Sequence, residues 1–266
     1  YFKRYLIMQD HLKIAIIQSD LVWENPKKNR KHFKEKIESI TEAVDLIVLP
    51  EMFATGFTMN ATAVAEDMDG KTIEWMKDIA LNTNAAVVGS LIISEDKKFY
   101  NRLLFVEPSG SIHYYDKRHA FTLAGEQKLY TSGTKKIIIE YKGWKICPLI
   151  CYDLRFPVWA RNTEDYDVLM YVANWPKPRI LAWDALLKAR AIENMCYCVG
   201  VNRIGIDEGQ NEYSGNCAVY DVLGNAITSM KPNREQIEVV TLDRNHINFY
   251  RNKLKFLNDK DNFTLL

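Results

Sequence analysis

Short apolar segments alternate with amphipathic ones in the first third of the chain. Residues 13–18 and 45–49 are apolar and have the length of buried strands, and a polar stretch with helical spacing lies between them. Residues 70–81 place apolar side chains on one helical face, and residues 85–93 form another apolar run of strand length. The pattern therefore predicts strand, helix, strand units.

The middle and the end of the chain contain both hairpin and crossover signals. Turn residues separate two pairs of extended segments, which predicts two hairpins: 100–107 with 111–116, and 136–141 with 144–150. The remaining predicted elements are a short helix at 158–162, a strand at 168–173, a helix at 180–193, and strands at 196–202, 216–220, 226–230 and 236–243. So many strands, in hairpins mixed with helical crossovers, predict two mixed sheets packed face to face with helices outside. The predicted fold class is α/β, an αββα four-layer sandwich.

Length and composition predict one domain. The 266 residues, 47% of them apolar, are enough to bury a large core, and no linker, repeat or low-complexity tract divides the chain. The first clear strand begins at Lys13. We therefore assign residues 13–266 to a single domain and residues 1–12 to an N-terminal extension.

Charge and cysteine content indicate which kinds of partner and cellular compartment to expect. The 35 basic and 34 acidic side chains nearly cancel, so neither nucleic acid nor an anionic membrane is an expected partner. No apolar run reaches the roughly 20 residues of a membrane span, and the first residues contain no signal-peptide core, which predicts a cytoplasmic protein. Five cysteines in a reducing compartment predict free thiols rather than a disulfide framework. The expected partner is a small molecule.

Three polar side chains stand at the carboxyl ends of predicted strands. Glu51 follows the apolar run 45–50, and Lys117 ends the aromatic segment before it. Cys151 follows a core strand and precedes Pro157, which suits the first turn of a helix, so the cysteine is predicted on a tight strand-to-helix turn. Because ligands of α/β proteins bind outside the carboxyl ends of strands, the three are predicted to converge.

Each of these residues also has an ordinary structural interpretation. A glutamate after a strand is usually solvated or a helix cap, a single lysine is usually on the surface, and a cysteine in an apolar run is usually core packing. The combination of the three favours a catalytic site over any one of them alone.

Three sequence segments resemble the signature blocks of the nitrilase superfamily, in order and with fitting separations: LPEMF at 49–53, YDKRH at 115–119 and LICYDLRFP at 149–157. The segments VANWP at 172–176 and ARAIEN at 189–194 resemble the ω-amidase branch in particular. The resemblance covers about residues 13–243. It implies an αββα fold with Glu51, Lys117 and Cys151 as catalytic residues, and Glu126 as a further glutamate of the site.

The resemblance also implies a reaction and an assembly. The expected substrate is the ω-amide of a small dicarboxylic acid monoamide, of the 2-oxoglutaramate or 2-oxosuccinamate type, and the expected assembly is a homodimer. The apolar tail with Phe249, Tyr250, Leu254 and Phe256 is a candidate part of the dimer interface. An N-carbamoyl amino acid hydrolase or another small aliphatic amidase is an alternative. A nitrilase is less favoured, because Tyr152 and Asp153 stand where nitrilases more usually carry tryptophan and glutamate.

A thioester mechanism follows for such a triad. An ordinary thiol is mostly protonated at neutral pH, so Cys151 needs a base, Glu51, or a positive neighbour, Lys117. Lys117 and the backbone N–H of Tyr152 are the expected donors to the oxyanion. This chemistry requires no cofactor, and no glycine-rich phosphate loop or cysteine–histidine spacing indicates a cofactor or metal.

The predicted pocket has further candidates. Trp175 and Phe121 are candidate substrate contacts, and Arg179 or Lys177 could bind a substrate carboxylate, although a solvated loop charge is the ordinary interpretation of each. Glu126 could equally be an exposed loop acid. Arg155 is interpreted as structural, tied to Asp153.

Two alternative hypotheses, a different enzyme class and a protein without activity, compete with the amidase hypothesis. A papain-like hydrolase would pair Cys151 with His113 or His119, although His119 could also simply line the pocket. A catalytically silent interaction module would keep the triad without turnover. The other cysteines are predicted to be small core residues: Cys147, Cys196, Cys198 and Cys217.

Overall fold

Thirteen strands and six α-helices make up the described part of the chain, residues 9–265 of a computed structural model. The strands are β1 His11–Gln18, β2 Leu46–Val48, β3 Ala86–Glu95, β4 Lys98–Val106, β5 Ile112–Asp116, β6 Ile139–Tyr141, β7 Trp144–Ile150, β8 Val168–Ala173, β9 Tyr197–Asn202, β10 Ile204–Ile206, β11 Glu212–Ser214, β12 Ala218–Tyr220 and β13 Gln236–Asp243. The helices are α1 Pro26–Glu38, α2 Ala61–Val64, α3 Lys71–Thr83, α4 Pro157–Ala160, α5 Ile180–Asn194 and α6 Arg244–Leu254.

The strands form two mixed sheets and one separate hairpin. The six-stranded sheet has the order β13-β1-β2-β3-β4-β5, in which β1, β2 and β3 are parallel and the other pairs antiparallel. The five-stranded sheet has the order β12-β9-β8-β7-β6, with β7, β8 and β9 parallel. Within the described residues, strands β10 and β11 pair with each other and with no other strand. Parallel central strands with antiparallel edges are the mixed arrangement that the crossover and hairpin signals predict.

Burial on both faces explains the continuous apolar runs of the central strands. In β1, Ile14 and Ile16 belong to the core between the two sheets, whereas Ala15 and Ile17 pack towards the helices of the first sheet. That outer layer contains α1 and α3, and Leu187 of α5 packs on the second sheet. The layers are therefore helix, sheet, sheet and helix, and the predicted αββα sandwich is confirmed.

Three local features differ from the sequence prediction. Residues 226–230 do not form a strand, because side chains replace backbone partners there. Thr228 Oγ1 accepts from the backbone N–H of Val219, and the Glu238 carboxylate accepts from that of Ser229, so the pairing is limited to a bridge between Ala226 and Tyr220. Strands β3 and β4 form a hairpin that the sequence analysis did not foresee. Its two-residue turn has positive φ at Asp96 and Lys97, as in type I′ turns.

The third difference is the β10–β11 hairpin, whose three-residue strands are too short for an alternating pattern to be recognised. In addition, β1 begins at His11, two residues before the strand predicted from the sequence. Residues 1–8 lie outside the described residues, so the N-terminal extension stays a prediction. Within residues 9–265, no helix combines the length and the apolar character that crossing a bilayer would need.

Candidate active site

The three strand-end residues converge on one cavity at the carboxyl ends of strands from both sheets. Glu51 follows β2 and Lys117 follows β5, both in the six-stranded sheet, and Cys151 follows β7 in the other sheet. All three line a cavity of about 450 Å³. The convergence expected from the strand ends is therefore observed.

Cys151 lies at a sharp turn between β7 and the helical segment after it. Its φ is +44°, in the left-handed region that non-glycine residues rarely adopt, and a short 3-10 helix from Cys151 to Arg155 leads into α4 at Pro157. Such a conformation costs on the order of 1–3 kcal/mol and persists only where the surroundings fix it. The strained turn presents the thiol to the cavity, as the sequence predicted.

Lys117 lies between two buried carboxylates. Its Nζ is 3.0 Å from Oε1 of Glu51 and 2.9 Å from Oε2 of Glu126, and all three side chains are at most 2% exposed. The backbone N–H of Phe121 also donates to Glu126. Glu126 is therefore a buried partner of the lysine and not the exposed loop acid that was its alternative.

Two asparagines fix the orientation of the Glu51 carboxylate. Asn101 Nδ2 donates to Glu51 Oε1 at 2.7 Å, and the backbone N–H of Asn174 donates to Oε2 at 2.8 Å. Asn174 Nδ2 also donates to the Glu51 carbonyl at 2.6 Å. Sequence reasoning missed both roles. The available signals were a lone amide in the apolar strand β4 and the asparagine inside the quoted segment 172–176.

Burial and charge set the protonation of this cluster. Burial disfavours the charged form of Lys117, but the charges of Glu126 and Glu51 outweigh it and raise the lysine pKa. Burial raises the pKa of Glu126. Burial, followed by the charge of Glu51, raises the pKa of Cys151 well above that of an ordinary thiol despite nearby Lys117. Burial and the charge of Glu51 therefore favour the neutral thiol of Cys151 over the thiolate.

Aromatic rings and two arginines form other parts of the cavity wall. Tyr152, Phe121 and Trp175 line it, and of these Phe121 and Trp175 were the candidate substrate contacts. The Arg179 guanidinium lies 5.2 Å from the centre of the Phe121 ring, and the Arg155 guanidinium lies 4.8 Å from that of Trp175. Within residues 9–265 neither arginine forms an ion pair with an acidic side chain.

The structural interpretation of Arg155 was wrong. Its expected partner Asp153 instead bonds to Tyr115 and His119, because its carboxylate points towards the end of β5. Arg155 consequently extends over Trp175 and lines the cavity. Lys177 pairs with Glu212 at 2.6 Å on the surface and is absent from the cavity lining.

The histidines do not supply a base to Cys151. His119 bonds to Asp153 at 2.7 Å and is not among the cavity-lining residues, and exposed His113 bonds to Glu107. The papain-like pairing is therefore not formed. The four other cysteines are buried and free, as predicted: Cys147, Cys196, Cys198 and Cys217.

The β10–β11 hairpin adds a wall that sequence analysis did not identify. Asp207, Asn211 and Tyr213 line the cavity from its loop and second strand, and no sequence pattern marked them. No group of histidine, cysteine, aspartate and glutamate side chains suited to a metal ion occurs among the residues that the structure describes.

Comparison with known proteins identifies the family. The family model for carbon-nitrogen hydrolases matches residues 13–252. The chain belongs to the carbon-nitrogen hydrolase family. This carbon-nitrogen hydrolase is 44% identical over 254 residues to Omega-amidase YafV of Escherichia coli (strain K12), an alignment that covers 96% of this chain and 98% of that relative.

A second curated relative and a solved structure are also similar to this hydrolase. 2-Oxoglutaramate amidase of Bacillus subtilis (strain 168) is 33% identical over 219 residues, covering 80% of this chain and 84% of the relative. XC1258 from Xanthomonas campestris, a CN-hydrolase superfamily protein with an arsenic adduct in its active site, superposes with a TM-score of 0.94 at 39% identity. That superposition covers 97% of this chain and 100% of XC1258. The resemblance to the ω-amidase branch of the nitrilase superfamily is confirmed.

Proposed function

We propose that this carbon-nitrogen hydrolase is an ω-amidase that converts a small dicarboxylic acid monoamide to the dicarboxylic acid and ammonia, with Cys151 as nucleophile. Its similarity to Omega-amidase YafV and to 2-oxoglutaramate amidase supports ω-amide hydrolysis. The structural observation that carries the mechanism is Lys117, held between buried Glu51 and Glu126 in the cavity that Cys151 lines.

Glu51 acts as the base in the first step. Because burial keeps the Cys151 thiol neutral, a proton must leave Sγ as the sulfur attacks the amide carbon. Glu51 is oriented for this by Asn101 and Asn174. The oxyanion that forms is stabilised by Lys117 and the backbone N–H of Tyr152, and one such donor contributes about 3–4 kcal/mol to lowering the barrier.

The same carboxyl group completes both half-reactions. Protonated Glu51 gives its proton to the nitrogen of the leaving ammonia, and the C–N bond breaks to leave a thioester on Cys151. Glu51 then takes a proton from water, whose oxygen attacks the thioester carbon. The C–S bond breaks, Glu51 returns that proton to Sγ, and the acid and the free thiol are released. Glu126 holds Lys117 throughout, since both of its oxygens contact Nζ.

The unpaired arginines support an anionic substrate. Arg155 and Arg179 each present a guanidinium to the cavity wall, and a substrate carboxylate can accept two parallel hydrogen bonds from such a group. Asp207 also lines the cavity, but its oxygens already accept from Asn211 and the Tyr213 hydroxyl. A carboxylate opposite the scissile amide fits 2-oxoglutaramate and 2-oxosuccinamate.

An N-carbamoyl amino acid remains the second candidate substrate, because it too combines a carboxylate with a cleavable C–N bond. The arginines suit both substrates. The thioester mechanism is also the same, so substrate shape alone separates the two.

Ammonia release tests the proposal. Wild-type protein is expected to release ammonia from 2-oxoglutaramate or 2-oxosuccinamate faster than from an N-carbamoyl amino acid or a simple nitrile, and folded Cys151→Ala should release none. Preference for the carbamoyl compound would move the substrate to the second candidate. Absence of turnover on all four would favour a catalytically silent module.

Three expectations accompany this function. We propose one catalytic domain over residues 13–266, a cytoplasmic location and a homodimer. Exposed Phe249 and Phe256, in α6 and just after it, support a role for the C-terminal tail in an interface. Cross-linking and sedimentation of the purified protein test the dimer.

A further inference from the structure

The carboxylate of Asp153 is hydrogen-bonded to two separate segments of the chain. Its Oδ2 accepts from the Tyr115 hydroxyl at 2.8 Å and from the backbone N–H of Ile150 at 3.1 Å. Its Oδ1 accepts from the backbone N–H of His119 at 3.0 Å and lies 2.7 Å from His119 Nδ1. Asp153 itself is fully buried, so water does not compete for these bonds.

These partners bracket the two catalytic residues that come from different sheets. Tyr115 and His119 stand two residues before and two residues after Lys117, at the end of β5. Ile150 and Asp153 stand on either side of Cys151, at the end of β7. A single carboxylate therefore fastens the lysine segment to the strained turn of the nucleophile.

Other contacts tighten the same junction. The His119 ring stacks on Phe156, with centroids 3.6 Å apart and planes 4° from parallel. The Tyr115 hydroxyl also accepts from Trp159 Nε1 at 3.0 Å and from the backbone N–H of Arg118 at 3.1 Å. The junction leaves the end of β5 little freedom relative to the nucleophile turn.

We propose that Asp153 is a positioning residue, whose carboxylate fixes the placement of Lys117 relative to Cys151 and the Tyr152 N–H. This inference rests on the proposed function. Asp153 does not line the cavity, so it acts through the two segments and not by touching substrate. A displacement of about 1 Å between reacting groups can cost on the order of 100-fold in rate.

Asp153→Asn is the first test, with Asp167→Asn as matched control. Asparagine keeps the shape but replaces one accepting oxygen with a donor, so the backbone N–H of either His119 or Ile150 loses its acceptor. Asp167 is also buried and also holds several partners: Lys145 N, Arg244 Nη1 and Arg251 Nη1. It is absent from the cavity lining and contacts none of the catalytic segments.

Turnover per folded molecule distinguishes a loss of positioning from a loss of folded protein in the two variants. We expect Asp153→Asn to lower kcat about 10- to 100-fold with KM changed less than about 3-fold, because the loss falls on the transition state. Asp167→Asn should lower the unfolding midpoint and leave kcat per folded molecule near the wild-type value. Equal kcat per folded molecule in Asp153→Asn and wild type would overturn the proposal.

Tyr115→Phe gives a second readout that does not depend on substrate. It removes the hydroxyl that bonds to Asp153, Trp159 and the Arg118 N–H without changing any charge, so a change in Cys151 reactivity reports the geometry of this junction. We expect its pH profile of alkylation by iodoacetamide to move to higher pH than in wild type, because Lys117 then stabilises the thiolate less. An unmoved profile in Tyr115→Phe would overturn the positioning role, even if wild-type protein had no amidase activity and the proposed function had failed.

Discussion

Lys117→Met is expected to lower both folded stability and turnover, because it removes the single positive charge between two buried carboxylates. Glu51 Oε1 and Glu126 Oε2 lie 3.0 and 2.9 Å from the same nitrogen, so the two carboxylates come within about 6 Å of each other. At an effective dielectric constant of about 20, two unit charges about 6 Å apart repel by roughly 3 kcal/mol. Removing one partner of a buried ion pair typically costs about 3–5 kcal/mol.

The stability lost in Lys117→Met is expected to increase with pH. Without the lysine, one carboxyl group is expected to bind a proton in the folded state, so its folded pKa rises above its unfolded value. Stability is then lost as pH rises through that raised pKa and is regained as pH falls towards the ordinary value of 4.5. The free energy of unfolding lost in Lys117→Met should therefore be smaller at about pH 5 than at about pH 8.

Urea unfolding of two lysine variants measures this loss. Lys177→Met is the control, since Lys177 pairs with Glu212 at 2.6 Å while both side chains are more than half exposed, and such pairs contribute about 1 kcal/mol or less. Turnover of Lys117→Met should fall about 10²- to 10³-fold through loss of an oxyanion donor. Similar unfolding midpoints for the two variants at both pH values would refute a charge balance centred on Lys117.

Further predictions concern the substrate end, the nucleophile and the core. Arg155→Gln and Arg179→Gln should each raise KM for the anionic amide, because a hydrogen bond to a charged group contributes about 1.5–3 kcal/mol, and steady-state kinetics showing an unchanged KM in both would exclude a carboxylate site there. Since the pKa of Cys151 is raised, its alkylation rate should keep rising with pH above neutrality, and a plateau at acidic pH would contradict the neutral resting thiol. Gly200→Ala should lower the free energy of unfolding by about 1–3 kcal/mol, because the new Cβ would meet Leu187 Cδ1 at 2.3 Å, and a denaturation curve matching wild type would contradict this.

The layers of the fold could be predicted because they depend on local periodicity. Runs such as residues 13–18 are apolar on both faces, which in the structure corresponds to burial between a sheet and a helix layer. The β3–β4 hairpin was not predicted because its turn contains no glycine: Asp96 and Lys97 adopt the positive φ that glycine usually supplies in such turns. The strand expected at 226–230 is not formed because the side chains of Thr228 and Glu238 accept the backbone hydrogen bonds that a strand ladder would use.

Some residues of the site could be predicted from the sequence and others could not, depending on whether local pattern or distant contacts fix their position. Glu51, Lys117 and Cys151 end strands, so their common location follows from topology. The position of Arg155 depends on where the Asp153 carboxylate points, and that direction is set by Tyr115 and His119, distant in sequence. Contacts of this kind leave no periodic signal in the chain.

Capture of the acyl group by hydroxylamine tests the thioester on Cys151 most directly. The ω-amide and the matching ω-methyl ester of one substrate would pass through the same acyl-enzyme if Cys151 is the nucleophile. The expected result is the same ratio of hydroxamate to free acid from both compounds, and no product from folded Cys151→Ala. Ratios that differ between amide and ester, or turnover retained by Cys151→Ala, would contradict a common thioester and with it the mechanism proposed for this carbon-nitrogen hydrolase.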